Sequence, residues 1–345
     1  MTNHAGRSNS LARPGRLRRW LAGTPLLLAL ACGFPPAPQV AAEDPAPAPQ
    51  LALHFEPNPL VLRAISTQIE AIEASPLDRA PERRASLGEV FWTVPEPTPA
   101  DALATTWGVG KDRLYALNPD LGPGSLVPAG TALKVFEVDP EEPTRSIGAP
   151  NRGKLQNGMP IPEGDAWRLR TMRRRAYGTE LTVTTLVDAF NAYGERFPDG
   201  PKIRVGELAM RKGGKVSPHR SHRSGRDVDI GYVFVGEDDG DVRWRQMNED
   251  NFDAEKNWFL MHEMIKTGNV EAIFVSKRLQ KLLYAEAVKH LDDAELATIF
   301  QYPRTAETKD PLIRHWKGHR DHMHVRFRCE DDNRRCRSAK SAAAH

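Results

Sequence analysis

Six of the eleven histidines in this sequence fall in two short clusters: His219 and His222, then His315, His319, His322 and His324. The first cluster reads HRSHRSGRDVDIGYV, so His222 precedes Asp229 by seven residues, with Gly225 as the turn between them. A loop histidine followed by a turn and a strand aspartate can converge on one ion. The second cluster reads HWKGHRDHMHVRF. Side chains alternate along a strand, so His322 and His324 project from one face with their Cβ atoms about 7 Å apart. One of them can ligate while its neighbour stays beside the reacting water. Two imidazoles and a carboxylate with one open position form a catalytic zinc set. A +2 ion held by one carboxylate leaves a positive centre that lowers the pKa of water toward about 7 and polarises a carbonyl. A closed structural site would need a fourth ligand, often cysteine, and neither Cys329 nor Cys336 is spaced like one. His219 and His319 stand either as partners that orient the ligands or as alternative ligands. No H-E-x-x-H glutamate exists, so the base must come from elsewhere.

The elements that must position these residues can be read from periodicity. Thr182–Phe197 places Val183, Leu186, Val187, Phe190 and Phe197 on one helical stripe. Lys202–Ala209 alternates around Ile203 and Val205. Asp227–Phe234 alternates strictly, with Val228, Ile230, Tyr232 and Phe234 on one face and Asp227 and Asp229 on the other. Asn257–Lys266 and Lys277–His290 read as helices on either side of a short strand, Val270–Val275. His322–Phe327 turns Met323, Val325 and Phe327 inward and His322, His324 and Arg326 outward. The fold class expected is α+β: an antiparallel sheet with flanking helices, its strands delivering polar side chains to one side.

The chain has 345 residues, 40% hydrophobic and 27% charged, which excludes wholesale disorder and suggests two domains. No apolar run of about 18 residues or more follows the N-terminus, so a multi-span membrane protein is excluded. The net charge of +3 misleads. Residues 1–42 hold five arginines and no acid, and removing these five from the 48 Lys+Arg leaves 43 against 45 Asp+Glu, a net of −2. A near-neutral body gives no electrostatic case for nucleic acid. Three cysteines cannot build a disulfide scaffold, though they allow one pair.

Residues 13–19 are basic and 21–34 apolar, the pattern of a secretory signal within 1–42. Val40-Ala41-Ala42 suits ordinary signal cleavage, and Ala29-Leu30-Ala31-Cys32 resembles a lipoprotein box that would put lipid on Cys32. Both place the mature protein in the periplasm or cell envelope, where disulfides form, with membrane attachment only through the signal or a lipid anchor. The stretch 43–89 is a Pro-rich linker with a short helix near 60–76, and six prolines fall between residues 35 and 49. A first compact unit spans 90–138, and Pro140, Glu141, Glu142 and Pro143 mark its end. A larger unit spans 145–337, and residues 338–345 read as a disordered tail.

The segments S-H-R-S-G-R-D-V-D and G-H-R-D-H-M-H-V-R-F-R-C resemble the two signatures of penicillin-insensitive murein endopeptidases, which share the lysostaphin, D-Ala-D-Ala carboxypeptidase and hedgehog fold. Arg145-Ser146-Ile147-Gly148, Gly213-Gly214-Lys215, Ile273-Phe274-Val275 and the Cys329…Cys336 pair agree with it. The resemblance covers about 145–337. It implies Zn2+ held by His222, Asp229 and His324, His322 as the catalytic histidine, and His319 as a further active-site histidine. His219 matches another family histidine close to the metal. The activity implied is hydrolysis of peptide cross-links in peptidoglycan, insensitive to penicillin because no serine is acylated. Arg223, Arg226, Arg320 and Arg326 flank the ligands and are candidates to recognise stem-peptide carboxylates. Two departures stand out: a shorter loop between Gly-Gly-Lys and His219, and an acidic insert, Glu237–Asp250. In an exported chain, Cys329 and Cys336 are expected to pair.

The smaller unit resembles a LysM module, a βααβ fold that binds the glycan of peptidoglycan. The resemblance rests on Phe91-Trp92-Thr93-Val94, Leu103, Trp107-Gly108-Val109, Asp112, Leu114, Leu117-Asn118-Pro119, Leu126-Val127-Pro128-Ala129-Gly130 and Leu133-Lys134-Val135. Pro95-Glu96-Pro97-Thr98 stands where such modules carry Gly-Asp-Thr. The short linker near 139–144 suggests a module that keeps the catalytic unit near its polymer by effective concentration rather than by contacts. Two rival readings differ in class: a carboxypeptidase of the same fold that removes terminal D-Ala, and a non-catalytic wall-binding protein. The complete ligand set argues against the second.

Overall fold

The alternating segments form the middle of a six-stranded sheet. The computed structural model describes residues 87–338 apart from Ala306 and Lys309. The expected export segment 1–42 with Cys32, the helix expected near 60–76 and the tail from 339 lie outside the described residues.

The first strand, β1 (Glu89–Thr93), pairs antiparallel with β4 (Ala132–Glu137), and β2 (Thr98–Pro99) with β3 (Leu126–Val127). Between them lie α1 (Ala100–Trp107) and α2 (Lys111–Leu117). Helix α1 stops at Gly108, whose φ of 78° is left-handed backbone that glycine adopts freely. A Cβ at Gly108 would meet Arg174 Cβ at 3.1 Å, so the same glycine permits a close approach to the rest of the chain.

That approach is a continuous core rather than a tether. Trp92 is fully buried, stands edge-on to Trp107 and Tyr177 at 5.6 and 5.9 Å between ring centroids, and donates from Nε1 to Ile161 O at 3.0 Å. The Tyr177 hydroxyl donates to Trp107 O at 3.1 Å. The Arg173 guanidinium lies 5.0 Å over the Trp92 ring and 5.3 Å over Trp107. The tethered arrangement expected from the short linker therefore does not hold, because the apolar side chains of 90–138 share one core with residues after 155.

Two small ladders follow: β5 (Arg145–Ile147) with β6 (Lys154–Gln156), and β7 (Met159–Pro160) with β9 (Tyr177–Gly178). The main sheet runs β13 (Ile313–His315), β12 (Val270–Val275), β14 (His322–Phe327), β11 (Asp227–Gly231), β10 (Ile203–Val205) and β8 (Trp167–Leu169). Its central pairs are antiparallel, as expected, but β8–β10 and β12–β13 run parallel. The sheet is mixed because helices cross over between the parallel partners, which parallel strands require. Helix α3 (Glu180–Arg196) lies between β8 and β10 in sequence. Helices α5 (Lys277–Ala287) and α6 (Asp293–Ile299) lie between β12 and β13.

Each of these helices starts on a side chain that accepts a backbone N–H. Thr179 caps α3, Asp253 caps α4 (Ala254–Lys266), Ser276 caps α5, and Asp292 forms a capping box with Glu295 at α6. Val183, Leu186, Phe190 and Tyr193 form the buried stripe of α3. On the sheet, Val228, Ile230, Met323, Val325 and Phe327 are fully buried, which turns their polar neighbours to the opposite face.

Candidate metal centre

Antiparallel register sets the site. On β11 and β14, Asp229 faces His324, Asp227 faces Arg326 and Gly231 faces His322. Alternation thus gathers Asp227, Asp229, His322 and His324 on one face. The loop before β11 brings His219 and His222 over that face. His219, His222 and Asp229 each offer a ligand atom, and these atoms lie within 4.8 Å of one another.

His222 has a φ of +62°, uncommon for a residue with a Cβ and frequent where function holds a strained backbone. Its N–H donates to Asp227 Oδ2 at 3.0 Å, and its Nδ1 stands 2.9 Å from Leu208 O. A carbonyl only accepts, so Nδ1 carries the proton and Nε2 presents its lone pair. Nε2 is buried, makes no hydrogen bond and lies 3.3 Å from Asp229 Oδ1. On the other carboxylate oxygen, His219 Nδ1 lies 3.4 Å from Asp229 Oδ2. Two ligands of a tetrahedral ion at about 2.0–2.2 Å stand about 3.3–3.6 Å apart. The donor set therefore fits a divalent metal by spacing, by chemistry and by a buried lone pair with no other partner.

His324 stands beside this cluster. Its Nδ1 is 2.9 Å from Asp229 Oδ1 and its Nε2 is 3.1 Å from Asp227 Oδ1. Burial alone would lower the His324 pKa, but the two carboxylates outweigh it and raise it to about 9. Burial likewise opposes ionisation of Asp229, yet His222 and His324 hold its carboxyl well below the usual range. Asp227 is held low against the same burial by Arg326 and His324. It serves His222 N, His324 Nε2 and Arg326 Nε at once, the last at 2.7 Å. Alternation in the sequence puts Asp227 on this face without assigning it a role. Its signal was the D-x-D that faces H-x-H across the ladder.

His322 is half-buried at the rim. Its Nδ1 bonds Asp321 Oδ1 at 2.7 Å and its Nε2 lies 4.0 Å from Asp229 Oδ1. His319 is 4.9 Å from His322 between ring centroids, and its Nδ1 is buried without a hydrogen bond. Burial, with His322 and His324 nearby, pushes the His319 pKa down to about 4, so its ring is neutral at physiological pH. Glu207, not singled out in the sequence, lies 3.7 Å from His219 Nε2 and also faces Arg170 and Arg175.

The four arginines separate. Arg226 is fully buried and donates to Glu271, Phe327 O and Arg337 O, so it ties the C-terminal crossing together and does not meet substrate. Arg326 is spent on Asp227 and lies 5.5 Å over the Phe274 ring. Arg320 is exposed and Arg223 half-buried. Cys329 and Cys336 are joined by a disulfide just past β14.

Residues 146–345 match the family described as penicillin-insensitive murein endopeptidase. A penicillin-insensitive murein endopeptidase of Yersinia enterocolitica is 26% identical over 249 residues, 67% of this chain and 80% of that protein. One of Pectobacterium atrosepticum is 27% identical over 206 residues, 56% of this chain and 67% of that protein. One of Haemophilus influenzae is 26% identical over 206 residues, 55% and 65% of the two chains. With the matched region carrying the histidine and aspartate cluster, the chain belongs to the penicillin-insensitive murein endopeptidase family.

Proposed function

We propose that this chain is a zinc-dependent endopeptidase that hydrolyses peptide cross-links of peptidoglycan, with His222, Asp229 and His324 as the metal ligands. The observation that carries the reading is the pairing of Asp229 with His324 on neighbouring strands, under a loop that brings in the unsatisfied Nε2 of His222. Asp227 orients the His324 ring through Nε2, and a metal at Nδ1 would take the place of the proton that Asp229 otherwise holds there. His219, also on Asp229, closes the cluster from the other side.

Zinc held by His222, Asp229 and His324 would supply Lewis acidity, polarising the scissile carbonyl and lowering the pKa of water toward about 7. The protein supplies the proton transfer. Asp321 accepts from His322 Nδ1–H, which turns the Nε2 lone pair toward the site. Nε2 takes a proton from the attacking water and delivers it to the leaving amine. Neutral His319 lies beside it as a further polar contact. Arg320 and Arg223 are the remaining candidates for stem-peptide carboxylates.

The unit at 90–138 is read as a LysM-like contact to glycan, supported by its strand–helix–helix–strand order and paired outer strands. Action in the periplasm or cell envelope follows from the substrate. Among the described residues, no helix is long and apolar enough to cross a membrane.

Digestion of purified cross-linked sacculi, with and without chelator, tests the reading. Dimeric muropeptides becoming monomers, only without chelator, is the expected result. Pentapeptides becoming tetrapeptides would instead mark a carboxypeptidase, and unchanged sacculi a wall-binding protein.

A further inference from the structure

The acidic insert read at Glu237–Asp250 ends against the catalytic face. Trp244 is half-buried and stacks on His322, with ring centroids 5.4 Å apart and planes 18° from parallel. Two residues on, Gln246 Nε2 donates to Asp321 Oδ2 at 2.9 Å, while Asp321 Oδ1 holds His322 Nδ1 at 2.7 Å. Next to Gln246, Met247 is fully buried, and its N–H donates to Arg320 O at 2.8 Å. One short segment therefore touches Arg320, Asp321 and His322 in succession.

The sheet is shaped to receive the indole. A Cβ at Gly206 would come within 2.7 Å of Trp244, and one at Gly231 within 2.6 Å. Gly231 is the register partner of His322, so indole and imidazole share one rung of the sheet. The Arg170 guanidinium lies 4.5 Å from the Trp244 ring centroid. The insert is anchored separately: Asp238 pairs with Arg168, and Arg243 O accepts from Arg204 at 2.9 Å.

We infer that this insert positions His322, with Trp244 and Gln246 as the positioning residues acting through the ring and through Asp321. Asp321 fixes His322 in the plane of its ring, by one hydrogen bond. The Trp244 stack fixes the plane itself. Gln246 holds the second oxygen of Asp321 and keeps that carboxylate from rotating away. A catalytic imidazole at a strand start is otherwise free about two torsions, and catalysis is sensitive to small errors in such geometry. The inference rests on the peptidoglycan reading for its kinetic test and on geometry alone for its spectroscopic one.

The full-length, zinc-loaded chain and its Trp244→Ala, Trp244→Phe and Gln246→Ala variants should be compared on soluble cross-linked muropeptide dimers. For Trp244→Ala, kcat should fall about 10–100-fold, the range for partners that orient active groups, with KM within about twofold and zinc content unchanged. Trp244→Phe should recover most of the loss, because a benzene ring still stacks. Gln246→Ala, at an exposed position, should lower kcat in the same direction without loss of fold, and keeps the test open should Trp244→Ala not fold. Independently of activity, the His322 ring protons should show upfield ring-current shifts that vanish in Trp244→Ala. Cleavage by the wild type and by Trp244→Ala at equal kcat would overturn the inference, as would a rise in KM alone, which would make Trp244 a substrate contact. Ring-proton shifts indifferent to Trp244 would overturn it as well. A wild type that cleaves no dimers would fail the peptidoglycan reading and leave the spectroscopic test to decide this one.

Discussion

Asp229 and His324 sit directly opposite one another on adjacent antiparallel strands, with His324 Nδ1 2.9 Å from Asp229 Oδ1. Register rather than sequence neighbourhood joins them, since 95 residues separate the two. Both His219 and His324 reach Asp229, so the ligand set can be tested by removing each. His324→Ala should lose most bound zinc, and His219→Ala should retain more of it. Metal content of the purified proteins measures this, and near-stoichiometric zinc in His324→Ala would remove that residue from the set.

His322 faces the site without being placed among the ligands. His322→Ala should keep its zinc while kcat on cross-linked sacculi falls by about 100-fold or more, the contribution of a positioned acid or base. Near-normal cleavage would exclude His322 from the mechanism.

Trp92 joins residues 90–138 to the rest of the core, and its indole N–H serves Ile161 O. Trp92→Ala should destabilise the chain by about 3–5 kcal/mol. Deleting 90–138 should abolish cleavage of soluble dimers as well as of sacculi, because it bares Tyr177 and its neighbours. Thermal melts and digests check both, and a truncated protein with full activity on soluble dimers would show that the two parts fold apart.

The Cys329–Cys336 bridge closes a short loop after β14. Replacing both cysteines by serine should cost on the order of 2–3 kcal/mol at most, since short loops lose little entropy when closed. Denaturant unfolding measures the change. Mass spectrometry of the non-reduced protein finding two free thiols would refute the bond.

The strands that carry the site were legible because each alternates apolar and polar side chains. Both ends of His322–Phe327 follow from alternation, and Val270–Val275 from a short apolar run between two helices. The strand from Asp227 ends at Gly231, short of the expected Phe234, where Trp244 lies against the backbone. That contact comes from a segment whose own composition reads as solvated charge. The parallel sheet edges were not legible, because they depend on crossovers that no local pattern records. Nor was the burial of Arg226, whose charge is met by Glu271 and by carbonyls about a hundred residues away. Asp227 and Asp229 share one face in the sequence pattern, and the pairing with β14 and the loop before β11 give them different partners.

The left-handed backbone at His222 has a consequence for anyone redesigning this protein. Position 222 favours glycine by conformation, by about 1–2 kcal/mol over a residue with a Cβ. A design protocol scored on backbone conformation alone would therefore flag the histidine as an error and replace it. Glycine there would relax the backbone and remove both the Leu208 contact and the lone pair aimed at Asp229. At this position backbone conformation is the wrong objective, and metal content is the quantity to select on.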